Sequence, residues 1–134
     1  MIIKVLLGLV LARLAVIALP FRMISPFLGR LMGKTPTWCT QEEKDRSQQV
    51  AEAIHKVSRY VPINCTCLTR AITGNMILGM EDIPNTLYLG VKRSMRSKLT
   101  AHAWLRCGDV YLTGEQEKEE YVTVATFAKF KKPS

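Results

Sequence analysis

The chain has 134 residues, 19 Lys+Arg against 11 Asp+Glu, a formal net charge of +8 and 48% hydrophobic residues. That length holds one domain and excludes a large multidomain enzyme or a polytopic transporter, while the apolar content excludes a disordered chain. Residues 1–41 contain Lys4, Arg13, Arg22, Arg30 and Lys34 and no acid, so the charge is too uneven for a uniformly basic nucleic-acid binder.

Met1 to Phe21 is almost wholly apolar. A secretory signal is disfavoured, because Ala15, Ala18 and Pro20 run on into a further apolar stretch rather than a cleavage site. A spanning helix would place Arg13 deep in the bilayer at a cost of roughly 3 kcal/mol. An interfacial helix should gather its cations on one face, yet Lys4 and Arg13 point to opposite sides at about 100° per residue. A helix buried against the domain or a partner protein is preferred, with loose membrane association as the alternative. Pro20 and Pro26 should break the segment into helix, break and helix reaching Met32, with Gly33 as its stop. Residues 1–33 thus read as a hydrophobic, basic helical docking segment.

Lys34–Cys39 reads as a linker. Thr40 followed by Glu43 is a capping-box pattern, and Val50, Ile54, Val57 and Val61 then recur at helical spacing until Pro62. A second helix is expected from Asn64 as N-cap, carrying Leu68, Ile72 and Met76 inward and stopping at Gly79. Thr86–Val91 and Ala101–Cys107 are strand-like and flank a basic loop, Lys92–Lys98. That loop is short and lacks aromatic residues, so it reads as a solvated hairpin tip and not a nucleic-acid patch. Gly108-Asp109 signals a tight turn into Val110–Thr113, Glu115–Glu120 is an acidic connection, and Tyr121–Phe127 is a β-branched final strand. Helices first and strands afterwards indicate an α+β domain with an antiparallel sheet.

The cysteines are Cys39, Cys65, Cys67 and Cys107. Without a secretory signal the thiols are expected reduced, and the location cytoplasmic. Cys65, Cys67 and His102 are conceivable zinc ligands, but a Cys-x-Cys pair lacks the usual spacer and no second pair follows, so no metal or other cofactor is expected. A cysteine in the first turn of a helix sits at its positive end, where backbone N–H groups favour the thiolate and can stabilise an oxyanion. An imidazole from another element would complete the pair, and His102 on a strand is the candidate. The plainer reading makes Cys67 an ordinary buried thiol and His102 a surface histidine.

CLTRAITGNMIL (Cys67–Leu78), LYLGV (Leu87–Val91) and AHAWLRCGDVYLTG (Ala101–Gly114), in this order and spacing, resemble the lasso-peptide leader peptidase family. This family is also described as the C-terminal protease part of microcin-processing maturation proteins. The resemblance covers roughly residues 40–127, and the apolar N-terminus ending in LPFR is similar too. It implies a transglutaminase-like, papain-related cysteine protease domain over 34–134, with Cys67 as nucleophile and His102 as general base. The family's acid falls about twelve residues after the histidine, here at Gly114. If Cys107 pairs with Val110 across a two-residue turn, counting outward sets Glu115 opposite His102, where it could hold the imidazole's tautomer. Asp109 is the alternative third member, and a bare Cys-His dyad is also open. The chain has no room for a leader-binding module before the protease. The resemblance therefore implies a split system, with a precursor peptide, a separate leader-recognition protein and a lasso cyclase as partners. Acyl transfer to an amine and a non-catalytic, membrane-proximal adaptor are the competing functions.

Overall fold

The computed structural model describes residues 1–18, 21–60, 66–93, 99–114 and 120–132. The helices are α1 (Ile2–Ala18), α2 (Phe21–Ile24), α3 (Gln41–Tyr60) and α4 (Cys67–Met80), with a 3-10 turn at Ser25–Phe27. The strands are β1 (Arg30–Leu31), β2 (Asn85–Arg93), β3 (Leu99–Cys107), β4 (Val110–Thr113) and β5 (Val122–Lys129). They form one antiparallel sheet in the order β1-β5-β2-β3-β4. The α+β class expected from the sequence is observed, with helices before strands except for β1, which precedes α3.

Local chemistry explains where the helices begin. Thr40 Oγ1 accepts from Glu43 N at 3.1 Å while Glu43 Oε1 accepts from Thr40 N at 3.0 Å, the reciprocal capping box. Along α3 the residues Val50, Ile54 and Val57 are buried, as their spacing requires. Helix α4 starts later than expected. Its N-cap is Thr66, extended at φ −69°, whose hydroxyl accepts from Thr69 N at 3.2 Å. Asn64, the expected cap, and Cys65 lie outside the described residues, as does Val61.

The N-terminal segment departs most from expectation beyond α1. Helix does not continue to Met32; after the 3-10 turn the chain extends and Arg30–Leu31 pairs with Ala128 and Phe127 of β5. The cause is close backbone approach: Gly29 has φ +123°, and a Cβ there would come within 2.4 Å of the Ala128 carbonyl oxygen. Residues 34–36, expected as a linker, form a strap fixed to the sheet. Thr35 N donates to Thr86 Oγ1 at 2.9 Å, and Thr126 Oγ1 donates to the Gly33 carbonyl at 2.7 Å.

Helix α1 buries Val5, Leu9 and Ala12 against α3 and α4, where a Cβ at Gly8 would press on Thr73. Ile3, Leu7, Leu11 and Leu14 lie on the opposite side and are exposed. The helix is therefore apolar on two faces, with Lys4 and Arg13 in the flanks between them, which is why its cations form no stripe. Among the described residues no helix is long and apolar enough to cross a membrane.

The helix-facing side of the sheet is apolar. Leu87, Leu105 and Phe127 meet Ile54, Ile72 and Leu78 there. Side chains alternate along a strand, so the intervening residues of β2 and β3 form a second surface. It holds Tyr88, His102, Trp104 and Arg106, with Tyr88 and Trp104 stacked at 5.5 Å. The strap crosses this surface. Arg106, 4% exposed, donates to the carbonyls of Thr35 (2.8 Å), Pro36 (3.0 Å) and Gly108 (2.6 Å) and to the Tyr88 hydroxyl (2.9 Å).

Candidate functional site

The first turn of α4 holds Cys67, half-buried and packed against the edge of the main core. Directly after its N-cap, the thiol sits among backbone N–H groups that lack intrahelical partners and at the positive end of the helix dipole. Such a position offers N–H donors to an oxyanion formed beside it.

The helix runs in the same direction as β3. A Cβ at Gly74 would meet Leu105 at 2.5 Å, and one at Gly79 would meet Lys129, which lies opposite Asn85 at the start of β2. Cys67 precedes Gly74 by about 10 Å of helix, and His102 precedes Leu105 by about 10 Å of strand. Thiol and imidazole therefore belong to the same end of the sheet. They are not hydrogen-bonded in this resting structure, because strand alternation puts His102 on the Trp104 side of β3 and α4 on the Leu105 side.

His102 is held closely. It is 9% exposed, its ring stacks on Tyr121 with centroids 4.9 Å apart, and Trp104 lies at 5.8 Å. Lys92 Nζ sits 4.9 Å over the Tyr121 ring and pairs with Glu120 at 2.9 Å. His102 Nε2 lies 2.8 Å from the Gly114 carbonyl oxygen. A carbonyl only accepts, so Nε2 carries the proton, and in the neutral ring Nδ1 presents its lone pair. That is the form a general base needs.

The candidate third members stand elsewhere. Asp109 occupies the turn after β3 and lies 3.9 Å from Lys44 with its side chain mostly exposed. From His102 to that turn is about 17 Å of strand. Glu115 lies outside the described residues. The even register from which its position was counted does not persist: Cys107 pairs with Val110 and Arg106 with Tyr111, but Leu105 pairs with Thr113. A bulge at Leu112 therefore shifts the remainder of the strand by one residue. Sequence reasoning missed this shift, and with it the Gly114 carbonyl. A main-chain acceptor leaves no side-chain signal, although the glycine at that position was itself a clue.

The β3–β4 ladder runs as far as Leu105 opposite Thr113, and Gly114 then lies against Ala103 and His102. Cys39, Cys67 and Cys107 are free thiols. Cys107 is buried beside Cys39 and Ser47, and burial pushes its pKa up to about 11. It is no nucleophile at neutral pH. Among the described residues no three His, Cys, Asp or Glu side chains gather to hold a metal ion.

No curated protein and no solved structure matches the chain. The model of the transglutaminase-like superfamily matches residues 15–126, a span that takes in both Cys67 and His102, and the chain belongs to that superfamily.

Proposed function

We propose that the protein is a cysteine peptidase that removes the leader from a lasso-peptide precursor, with Cys67 as nucleophile and His102 as general base. The observation that carries the reading is Cys67 on the first turn of α4, toward the same end of the sheet as an imidazole whose Nε2 lies 2.8 Å from the Gly114 carbonyl oxygen, which leaves Nδ1 as the nitrogen with a lone pair in the neutral ring. Membership of a superfamily of cysteine proteases and acyltransferases supports the chemistry, and the three-motif resemblance supports the substrate. The Cys67 thiol proton passes to Nδ1, and the thiolate adds to the scissile carbonyl. The imidazolium returns that proton to the leaving amine, and water then hydrolyses the thioester.

The rest of the maturation machinery docks at the N-terminal segment. Ile3, Leu7, Leu11 and Leu14 form an exposed apolar ridge, and Phe27 is exposed as well. Such a surface fits a separate leader-recognition protein, with the cyclase receiving the product and the membrane as the alternative partner. Changing Leu7 and Leu11 together to Gln should abolish complex formation with the recognition protein while leaving the melting temperature nearly unchanged.

Incubation of Cys67→Ala protein with precursor and recognition protein is expected to leave the leader attached, and His102→Ala should behave alike. Cleavage at the wild-type rate by either variant refutes the assignment. Mass spectrometry separates hydrolysis, which adds water, from acyl transfer to an amine, which releases ammonia. A short bis-alkylating reagent should bridge Cys67 to His102 in the active enzyme, and failure to bridge them refutes the pairing.

A further inference from the structure

We propose that the Gly114 main-chain carbonyl is the positioning group for His102, doing the work that a carboxylate or amide side chain does in a catalytic triad. The inference rests on His102 acting as base, but its first test does not require turnover. Three observations carry it.

The first is distance and polarity. Nε2 of His102 donates to the Gly114 carbonyl at 2.8 Å, within the normal range for an N–H···O bond, from a ring that is largely buried. The second is that this position has no space for a side-chain alternative. Gly114 adopts φ +72°, and a Cβ there would approach the Ala103 carbonyl oxygen to 2.4 Å, Trp104 Cβ to 3.0 Å and His102 Nε2 itself to 3.1 Å. No acid can be mounted at 114 without displacing the strand beneath it; the main chain fills the space instead. The third is how the carbonyl is aimed. The bulge at Leu112 moves the end of β4 one residue out of the even register, and the left-handed turn at Gly114 follows directly. Ladder continuation would point the Gly114 carbonyl along the sheet plane; the bulge and turn bring it to the imidazole.

The chemical consequence follows from the acceptor. A carbonyl dipole fixes the Nε2–H tautomer and the ring orientation, as a carboxylate would. It carries no full negative charge, so it stabilises the imidazolium less. Tyr121 and Trp104 contribute ring contacts, but the carbonyl is the acceptor for Nε2.

Nitrogen-15 and proton NMR on the intact wild-type protein tests the arrangement. The expected result is an Nε2–H tautomer for neutral His102, with an Nε2 proton visible in water because its exchange is slowed. An Nδ1–H tautomer, or an Nε2 proton exchanging as fast as in free histidine, overturns the proposal whether or not the protein cleaves anything. The catalytic half is tested by replacing the Gly114–Glu115 amide with an ester through the α-hydroxy analogue at 115, which weakens this carbonyl as an acceptor. A companion ester at Thr113–Gly114 leaves it an ordinary amide carbonyl. The first should lower kcat about fivefold with KM unchanged, the effect of losing one net hydrogen bond, and should shift the downfield Nε2 proton upfield. The second should do neither. Equal effects from the two esters, or no change from the first, refute the positioning role. If Cys67→Ala still cleaves while the NMR result stands, the functional reading fails and the carbonyl–imidazole bond does not.

Discussion

Arg106 offers the sharpest test of how the strap is held. The residue is 4% exposed, and its guanidinium has no carboxylate against it among the described residues. Instead it donates to the carbonyls of Thr35, Pro36 and Gly108 and to two hydroxyls, those of Tyr88 and Thr86, and lies 5.8 Å over the Tyr88 ring. Arg106→Leu keeps most of the buried stem but removes every donor. The buried carbonyls of Thr35 and Gly108 lose a partner at about 1 kcal/mol each, the Pro36 carbonyl, on an exposed residue, can turn to water, and the ring contact loses about 0.5–1 kcal/mol. Relief of the buried charge offsets part of this. The net expectation is about 2 kcal/mol, which is a large share of a total stability of about 5–15 kcal/mol. For a chain of this size it lowers the melting temperature by roughly 7 °C. Urea unfolding followed by circular dichroism measures it, with Arg106→Lys as a companion that restores one or two donors and should lose about half as much. A loss below about 1 kcal/mol in the leucine variant refutes the reasoning, because it would mean that the carbonyls of 35 and 108 find water without cost and the strap is not anchored by this side chain.

Two further predictions concern buried titratable groups. Burial lowers the pKa of Lys129 to about 8 from 10.5, and among the described residues its Nζ donates to the Asn75 carbonyl, at 3.3 Å. The folded state releases this proton before the unfolded state does, so stability should rise with pH from about 8 toward 10.5, by at most roughly 3 kcal/mol. Lys129→Met should abolish that rise and be more stable than wild type at pH 7; a wild-type profile flat between pH 8 and 9 would contradict this. Cys107 acts in the opposite sense. Its folded pKa of about 11 against 9.0 means the unfolded state ionises first, so stability is complete below pH 9 and falls as pH rises toward 11. Iodoacetamide at pH 8 should modify half-buried Cys67 in the native protein and reach Cys107 only on unfolding, with peptide mapping as the readout.

Features written in neighbouring residues were legible from the sequence. The Thr40–Glu43 box, the Val50–Ile54–Val57 stripe and the Gly108-Asp109 turn each depend on contacts a few residues apart, and each is present. Features that depend on a distant partner were not. Arg30–Leu31 has no strand signal of its own; it is a strand because Gly29 lets the backbone approach Ala128, ninety-nine positions away. The strap looked like a linker because Thr35 is anchored by Thr86 and Arg106, residues chosen for the far side of a sheet that no local pattern describes. At the candidate site, residue type and spacing placed a cysteine at a helix start and a histidine on a strand, and only the resemblance paired them. The group facing the imidazole could not, because one bulged residue changed the register and the acceptor is main chain.

The two faces of the sheet solve different problems. On the helix side, apolar surface from α1, α3 and α4 is buried against Leu87, Leu105 and Phe127, and the energy is that of area removed from water. On the other side, β3 presents His102, Trp104 and Arg106 in succession, with a nitrogen donor at each end and an aromatic ring between. Both donors are satisfied by carbonyls from chain segments next to β4: Gly108 where it begins, Gly114 where it ends, and the strap at Thr35 and Pro36. Each glycine has positive φ, at +58° and +72°, and a side chain at either would strike its neighbours. A short strand bracketed by two left-handed glycines therefore does what a pair of carboxylates would do elsewhere: it orients two basic side chains. It does so with dipoles rather than charges. Fixed dipoles are not neutralised by protonation in acid, and counterions do not screen them as they screen separated charges. The geometry of His102 should accordingly persist to lower pH and higher salt than a histidine held by an aspartate.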